Sequence, residues 1–136
     1  MGILQLFKKN SNSDNSKPLL ISVSMIPYVL RANERSSSTV NVKIKNLLNE
    51  PALISLRLEV PKPLSVDYTG LIKEKEVKLG LLNPKEEKEA NIDIFSNTGT
   101  DEGEYTIKLV VFKHYKDYTF VENQLSTSFI ARVVSH

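Results

Sequence analysis

The chain has 136 residues, which is the size of one domain with its own hydrophobic core. It is 40% hydrophobic and 25% charged, and 18 basic against 16 acidic residues leave a net charge of +2. That balance excludes a global electrostatic drive toward nucleic acid or an anionic surface, and the absence of cysteine excludes disulfides, thiolate metal sites and a thiol nucleophile.

The N-terminus reads Met1-Gly2-Ile3-Leu4-Gln5-Leu6-Phe7-Lys8-Lys9. Its apolar part is too short for the core of a secretion signal, and its charges follow that part instead of preceding it. Leu6 stands where N-myristoylation requires Ser or Thr. No apolar run approaches the ~20 residues of a membrane-spanning helix. The expectation is a cytoplasmic protein, with an envelope-associated one as the alternative. Two turns of helix over residues 1–9 would put Ile3, Leu4 and Phe7 on one face. Three readings of this arm stay open: a frayed tail, a strand or helix docked on another copy, and a weak amphipathic anchor at a membrane surface. Residues 10–18 are polar and of low complexity, and read as a flexible linker. The expected organisation is an arm and linker over residues 1–18 and one domain over 19–136.

From Leu19 the apolar period becomes two. Leu19 to Met25 predicts a strand with Ile21, Val23 and Met25 on one side. Pro27 interrupts it, as at an edge or at a switch between sheets, and Tyr28-Val29-Leu30 can continue it. After a polar loop at 33–37, Val40, Val42 and Ile44 alternate with Asn41, Lys43 and Lys45, one buried and one wet face. Ala52 to Val60 repeats the pattern, with Ile54, Leu56, Leu58 and Val60 inside and Ser55, Arg57 and Glu59 outside. Pro61 and Pro63 end it, and Val66 with Tyr68 predicts a short edge strand that stops at Gly70. Lys73 to Leu79 predicts another short strand, followed by a connector at 80–84. Ala90, Ile92 and Ile94 mark the next strand. Tyr105, Ile107, Leu109 and Val111 mark a late one, and Ser126 to Val134 the last. Residues 114–124 predict a long loop or an extended ribbon. Seven to nine short strands with turn signals about every ten residues, and no helical period after residue 18, fit a sandwich or a closed barrel.

Asp101-Glu102-Gly103-Glu104-Tyr105 opens the late strand. An Asp-x-Gly-x-Tyr entry resembles the tyrosine corner of immunoglobulin-like sandwiches, in which the Tyr hydroxyl bonds back to the backbone. Asp101, Gly103 and Tyr105 are therefore the expected structural corner, and they favour the sandwich over the barrel. Leu79-Gly80-Leu81-Leu82-Asn83-Pro84-Lys85-Glu86, the turn Asn46-x-x-Asn49-Glu50 and Gly103-Glu104-Tyr105 are similar to the CARDB-like and NEW3-like adhesion-type immunoglobulin-fold modules. The resemblance covers about residues 20–134. It implies a binding or spacer module without catalytic residues, usually of extracellular or envelope proteins. Lys85 stands where those families have Gly, so a different turn is expected there.

The fold expected is all-β, an immunoglobulin-like antiparallel β-sandwich of seven to nine strands with a short N-terminal arm. No catalytic, metal or cofactor-binding residue is expected. Serines lie outside any Gly-x-Ser-x-Gly context, and the glycines are isolated turn glycines. The loop at 98–102 holds the carboxylates a calcium site needs, but a turn-stabilising role for Asp101 explains it as well. His136 is terminal, and His114, alone past the late strand, reads as an ordinary surface residue. The most unusual segment is Phe112-Lys113-His114-Tyr115-Lys116-Asp117-Tyr118-Thr119-Phe120, where four aromatics interleave with two lysines. Exposed aromatics beside cations stack on bases or sugars, or anchor protein contacts; the plainer reading is that Tyr118 and Phe120 close one end of the sandwich. The runs Lys73-Glu74-Lys75-Glu76 and Lys85 to Glu89 read as solvated edges that prevent sheet-to-sheet aggregation. Such Lys/Glu richness without cysteine is compatible with a prokaryotic, thermophilic source. The function expected is a non-enzymatic protein-interaction or assembly module. The alternative is a carbohydrate- or nucleic-acid-binding module built on residues 112–120. The candidate interaction residues are Ile3, Leu4, Phe7, Lys113, His114, Tyr115, Lys116, Tyr118 and Phe120. A protein partner or self-association is expected, with a weaker membrane contact through residues 1–9.

Overall fold

The computed structural model describes residues 2–5 and 18–135. Among the described residues the β-branched, period-two segments form nine strands: β1 (Gly2–Gln5), β2 (Leu19–Ile26), β3 (Val29–Arg31), β4 (Ser36–Asn46), β5 (Ala52–Glu59), β6 (Glu74–Leu82), β7 (Glu87–Ser96), β8 (Gly103–His114) and β9 (Val121–Val134). They make a four-stranded sheet, order β1-β2-β4-β7, and a five-stranded sheet, order β3-β9-β8-β5-β6. All pairings are antiparallel except β3 with β9. The two sheets pack as an immunoglobulin-like sandwich.

Alternation decides which face is buried. Ile21 and Val23 of β2, Val40, Val42 and Ile44 of β4, and Ile92 and Ile94 of β7 form one inner face. Ile54, Leu56 and Leu58 of β5, Ile107, Leu109 and Val111 of β8, and Phe129 and Ala131 of β9 form the other. A one-residue slip of any of these strands would turn its apolar set to water, so burial pins the register. The outer face of the first sheet is polar and cross-linked: Asn41 Nδ2 donates to Asn91 Oδ1 at 2.8 Å, and the Thr39 hydroxyl donates to Asp93 Oδ1 at 2.6 Å.

Pro27 marks a switch between sheets. It has no N–H for the ladder, and the Ile26–Pro27 peptide is cis. Beyond it the chain leaves the first sheet and joins the edge of the second as β3, parallel to β9.

Several expectations are corrected. Residues 2–5 form a strand paired with β2 (Gly2↔Ser24 to Gln5↔Ile21), not a helix. A helix so short is marginal, whereas the edge of β2 offers a full ladder partner. Residues 6–17, with the linker, lie outside the described residues. The strand expected at Val66 and Tyr68 is a hydrogen-bonded loop, with only an isolated bridge from Ser65 to Phe95. The strand expected to stop at Leu79 continues to Leu82. Its register shifts opposite Ile54/Ser55, and Gly80 has φ +87° at that bulge. The bulge moves the inward set from odd to even positions, which reads in sequence as an ending. Residues 114–124, expected as a long loop or an extended ribbon, are a hairpin end: β8 runs to His114, a turn takes 115–120, and β9 starts at Val121.

Candidate interaction surface at the hairpin tip

The β8–β9 hairpin projects from one end of the sandwich. That end also carries the β4–β5 turn and the β6–β7 turn, because β5 starts where β8 finishes (Leu53↔His114). The hairpin closes with Tyr115 N–H donating to the Phe120 carbonyl at 2.9 Å. Lys116 takes φ +68° at the tip. Asp117 shapes the turn by accepting from the N–H of Thr119 at 2.8 Å and from its hydroxyl. The Thr119 hydroxyl, then its N–H, and further back the His114 ring hold the Asp117 carboxyl below its ordinary value.

The nine-residue aromatic segment divides in two. Its first part turns onto the outer face of the five-stranded sheet. His114 is not a surface residue: it is 8% exposed, and Nε2 lies 2.7 Å from Ser55 Oγ. Ser55, expected outside, is itself buried beneath this contact. The His114 ring stands between Phe112 (centroids 6.1 Å) and Tyr118 (5.0 Å, edge-on). Arg57 lies 5.2 Å over the Phe112 ring, and Lys78 lies 5.0 Å over that of Tyr118. The row Arg57, Phe112, His114, Tyr118, Lys78 draws on β5, β6, β8 and the turn, and Val110 on the same outward side of β8 is buried as well. His114 Nδ1 is buried with no hydrogen-bond partner among the described residues.

The second part faces water. Tyr115 is 55% exposed, Phe120 60% and Val121 50%. Lys116 lies 5.3 Å over the Tyr115 ring. Lys113, a candidate contact, has a largely covered side chain and is paired with Glu122. Of the arm residues, Ile3 and Leu4 lie on β1, opposite Val23 and Ser22, while Phe7 lies outside the described residues. The structure therefore brings Tyr115, Lys116 and Phe120 together with Val121 at the tip, and sets His114 and Tyr118 behind them.

At the opposite end, the hydroxyl of Tyr105 donates to the Asp101 carbonyl at 2.7 Å, and its half-buried ring packs against the core. The polar atoms of the Thr98–Glu102 loop are taken up by neighbouring segments: Gly99 N–H donates to Asn97 Oδ1, Thr100 Oγ1 donates to the Pro63 carbonyl, and Glu102 accepts from the Ser135 hydroxyl. Among the described residues no three His, Asp or Glu side chains gather to hold a metal ion, and no helix is long and apolar enough to cross a membrane. A cleft of about 680 Å³ separates the edges of β6 and β7. Its walls carry Lys75, Glu76, Lys78, Lys88 and Glu89, and the Lys88 ammonium donates across it to the Leu79 and Leu81 carbonyls at 3.3 and 3.2 Å. Charge on both edges disfavours a further strand there.

Comparison with known proteins agrees with this architecture. The chain is similar to part of Escherichia coli alpha-2-macroglobulin (domain MG7 to the C-terminus), at 17% identity and a TM-score of 0.64 over 87% of this chain. It is similar to a chain of the human complex of zinc 2-glycoprotein with prolactin inducible protein, at 18% identity, a TM-score of 0.58 and coverage of 89% of this chain and 99% of that one. A CARDB domain from Pyrococcus furiosus, in complex with di-metal ions, is 27% identical with a TM-score of 0.47, over 87% of this chain and 94% of that one. The chain spans 17% of the length of the macroglobulin fragment, and 7% of the Salmonella and E. coli macroglobulin chains it also matches. No protein-family model and no curated relative matches the chain. The likeness shows the immunoglobulin-like fold.

Proposed function

We propose that this chain is a non-enzymatic protein-interaction module whose contact surface is the β8–β9 tip. The observation that carries the reading is the exposure of Tyr115, Phe120 and Val121 side by side on a hydrogen-bonded hairpin. Rigid aromatics offer contact area at little entropic cost and are the usual anchors of protein interfaces. The stacked row behind them holds the hairpin in place. The same row weakens the carbohydrate or nucleic-acid alternative. The rings of Phe112 and Tyr118 are already covered by Arg57, His114 and Lys78, so they offer no open platform for a base or a sugar.

In the same reading, residues 1–18 are an arm and linker attached to a domain that spans 19–136. Deleting residues 1–17 then leaves the sheet signal in circular dichroism intact. For the tip, a photo-crosslinking residue at position 120 is compared with one at Lys108, on the outer face of β8 and far from the tip. Crosslinks to a protein, or to a second copy, that form from position 120 and vanish in Tyr115→Ser support the proposal. Equal crosslinking from both positions, or binding of glycans or oligonucleotides instead, refutes it.

A further inference from the structure

The loop between β5 and β6 exposes a second set of large apolar side chains at the opposite end of the molecule. Tyr68 is 66% exposed, Leu71 79% and Ile72 53%, within five residues. Few surface side chains of a soluble domain are so bare and so close together without a partner. The loop is not loose. The Asp67 carboxylate accepts from the N–H of Thr69 at 3.1 Å, from its hydroxyl, and from the N–H of Ile72 at 2.8 Å. Gly70 N–H donates to the Asp67 carbonyl at 3.3 Å, and Val66 N–H to the Ile72 carbonyl at 2.8 Å. The Lys73 ammonium sits inside the loop, donating to the carbonyls of Lys62, Leu64 and Gly70 at 2.7, 2.5 and 3.1 Å. Gly70, at φ +84°, makes the turn that brings Leu71 and Ile72 to the outside. Tyr68 is fixed behind them, edge-on to Phe95 at 6.5 Å, with the Arg35 guanidinium 4.2 Å over its ring.

We propose that this loop docks on a lipid surface bearing anionic headgroups, with Leu71 and Ile72 entering the acyl boundary and Tyr68 at the headgroup level. Two features favour lipid over a protein pocket. First, the tip ties much of its backbone to itself: the N–H groups of Thr69, Gly70 and Ile72 bond to Asp67, the Gly70 carbonyl to the Lys73 ammonium and the Ile72 carbonyl to Val66 N–H. In hydrocarbon every unpaired backbone group is costly, so such internal bonds favour a shallow insertion. A protein partner ordinarily asks for about one hydrogen bond per 100–200 Å² of interface, and this turn has few to give. Second, the apolar tip is bordered by the exposed cations Arg35 and Lys62. Tyr beside Arg and Lys at the rim of an aliphatic tip is the arrangement that places rings and charges at a membrane–water boundary. Two aliphatic side chains make such binding shallow and reversible. The proposal does not depend on the hairpin tip, which lies at the other end of the sandwich.

The test is flotation of the full chain with phosphatidylcholine vesicles, with and without phosphatidylserine. The wild type is expected to float with the phosphatidylserine vesicles. Leu71→Ser and Ile72→Ser are expected each to weaken this by about tenfold, as for an aliphatic side chain returned to water. Both residues are exposed, so unchanged thermal melting shows that the variants fold. Because the chain has no cysteine, a bimane label on Leu71→Cys is unique and is expected to shift to the blue on binding, while the same label on Lys116→Cys does not. No flotation of the wild type overturns the proposal and leaves the tip to a protein pocket. Flotation that survives the double substitution, or a shift at position 116 instead of 71, also overturns it, since the contact then lies elsewhere.

Discussion

His114 Nε2 lies 2.7 Å from Ser55 Oγ, and the pair joins the end of β8 to the start of β5 beneath a cover of aromatic rings. Both residues are buried, so neither can trade this bond for water. Ser55→Ala leaves the imidazole without its partner and is expected to cost about 1–3 kcal/mol. Replacing both, as Ser55→Ala with His114→Phe, removes donor and acceptor together and is expected to cost less than the sum of the single changes. Denaturant melts of the four proteins in the cycle measure the difference. Additive losses would show that the two side chains do not act as a pair.

Tyr105 tests the corner at the other end. Tyr105→Phe keeps the ring against the core and loses only the bond to the Asp101 carbonyl, so the expected loss is about 0.5–1.5 kcal/mol. Tyr105→Ala also empties the space of the ring and is expected to cost more. Ser at position 115, whose ring is exposed, is expected to leave the melting curve nearly unchanged. A Tyr105→Ala protein as stable as Tyr115→Ser would remove the corner as a stabilising element.

Lys85 adopts a left-handed conformation that glycine takes at least cost. Its φ is +70°, at the third position of the turn Asn83-Pro84-Lys85-Glu86, which closes with Glu86 N–H donating to the Asn83 carbonyl at 2.9 Å. The position is left-handed, and it is made here with a side chain that resists that conformation. Lys85 N–H donates to the Asn46 carbonyl at 2.8 Å, and Asn46 N–H donates to the Glu86 carbonyl at 2.9 Å, which holds it there. A non-glycine residue pays ~1–2 kcal/mol in that region, and glycine returns part of the gain as chain entropy. Lys85→Gly is expected to raise stability by about 0.5–1 kcal/mol, read as a higher denaturation midpoint at unchanged slope. A lower midpoint would show that the exposed lysine contributes more than its backbone strain.

Two turns couple stability to acid. The Thr69 hydroxyl first, with the Ile72 and Thr69 N–H groups, holds the Asp67 carboxyl below its ordinary value, and Asp117 is lowered in the same way by Thr119. A carboxyl lowered in the folded state binds its proton more readily when unfolded. Its contribution is complete above the unfolded value and is lost as pH falls through the folded one. Thermal midpoints are therefore expected to fall below about pH 4. Asp67→Asn should flatten part of that fall while costing little of the fold, because the carboxylate is solvent-facing. An acid profile identical in the variant would mean that Asp67 does not differ between the two states.

Period two by itself determined the inner faces. Val40, Val42, Ile44, Leu56, Leu58, Ile92, Ile107 and Leu109 are all buried where alternation places them, because a strand in a two-layer fold has only one dry side. Asp101-x-Gly103-x-Tyr105 and Pro27 were legible for the same reason: turn chemistry and a missing N–H act within a few residues. Other features arise only when distant segments meet. His114 is a lone ring at a strand end until β5 brings Ser55 beside it and the turn folds Tyr118 over it. Gly80 reads as a stop until β5 pairs on both sides of the bulge. Val66 and Tyr68 look like a short edge strand until Asp67 and Lys73 draw the backbone inward and leave Tyr68, Leu71 and Ile72 outside. Local pattern reports what each residue prefers; tertiary structure decides which neighbours satisfy a polar group or cover a ring, and that lies between segments far apart in the chain.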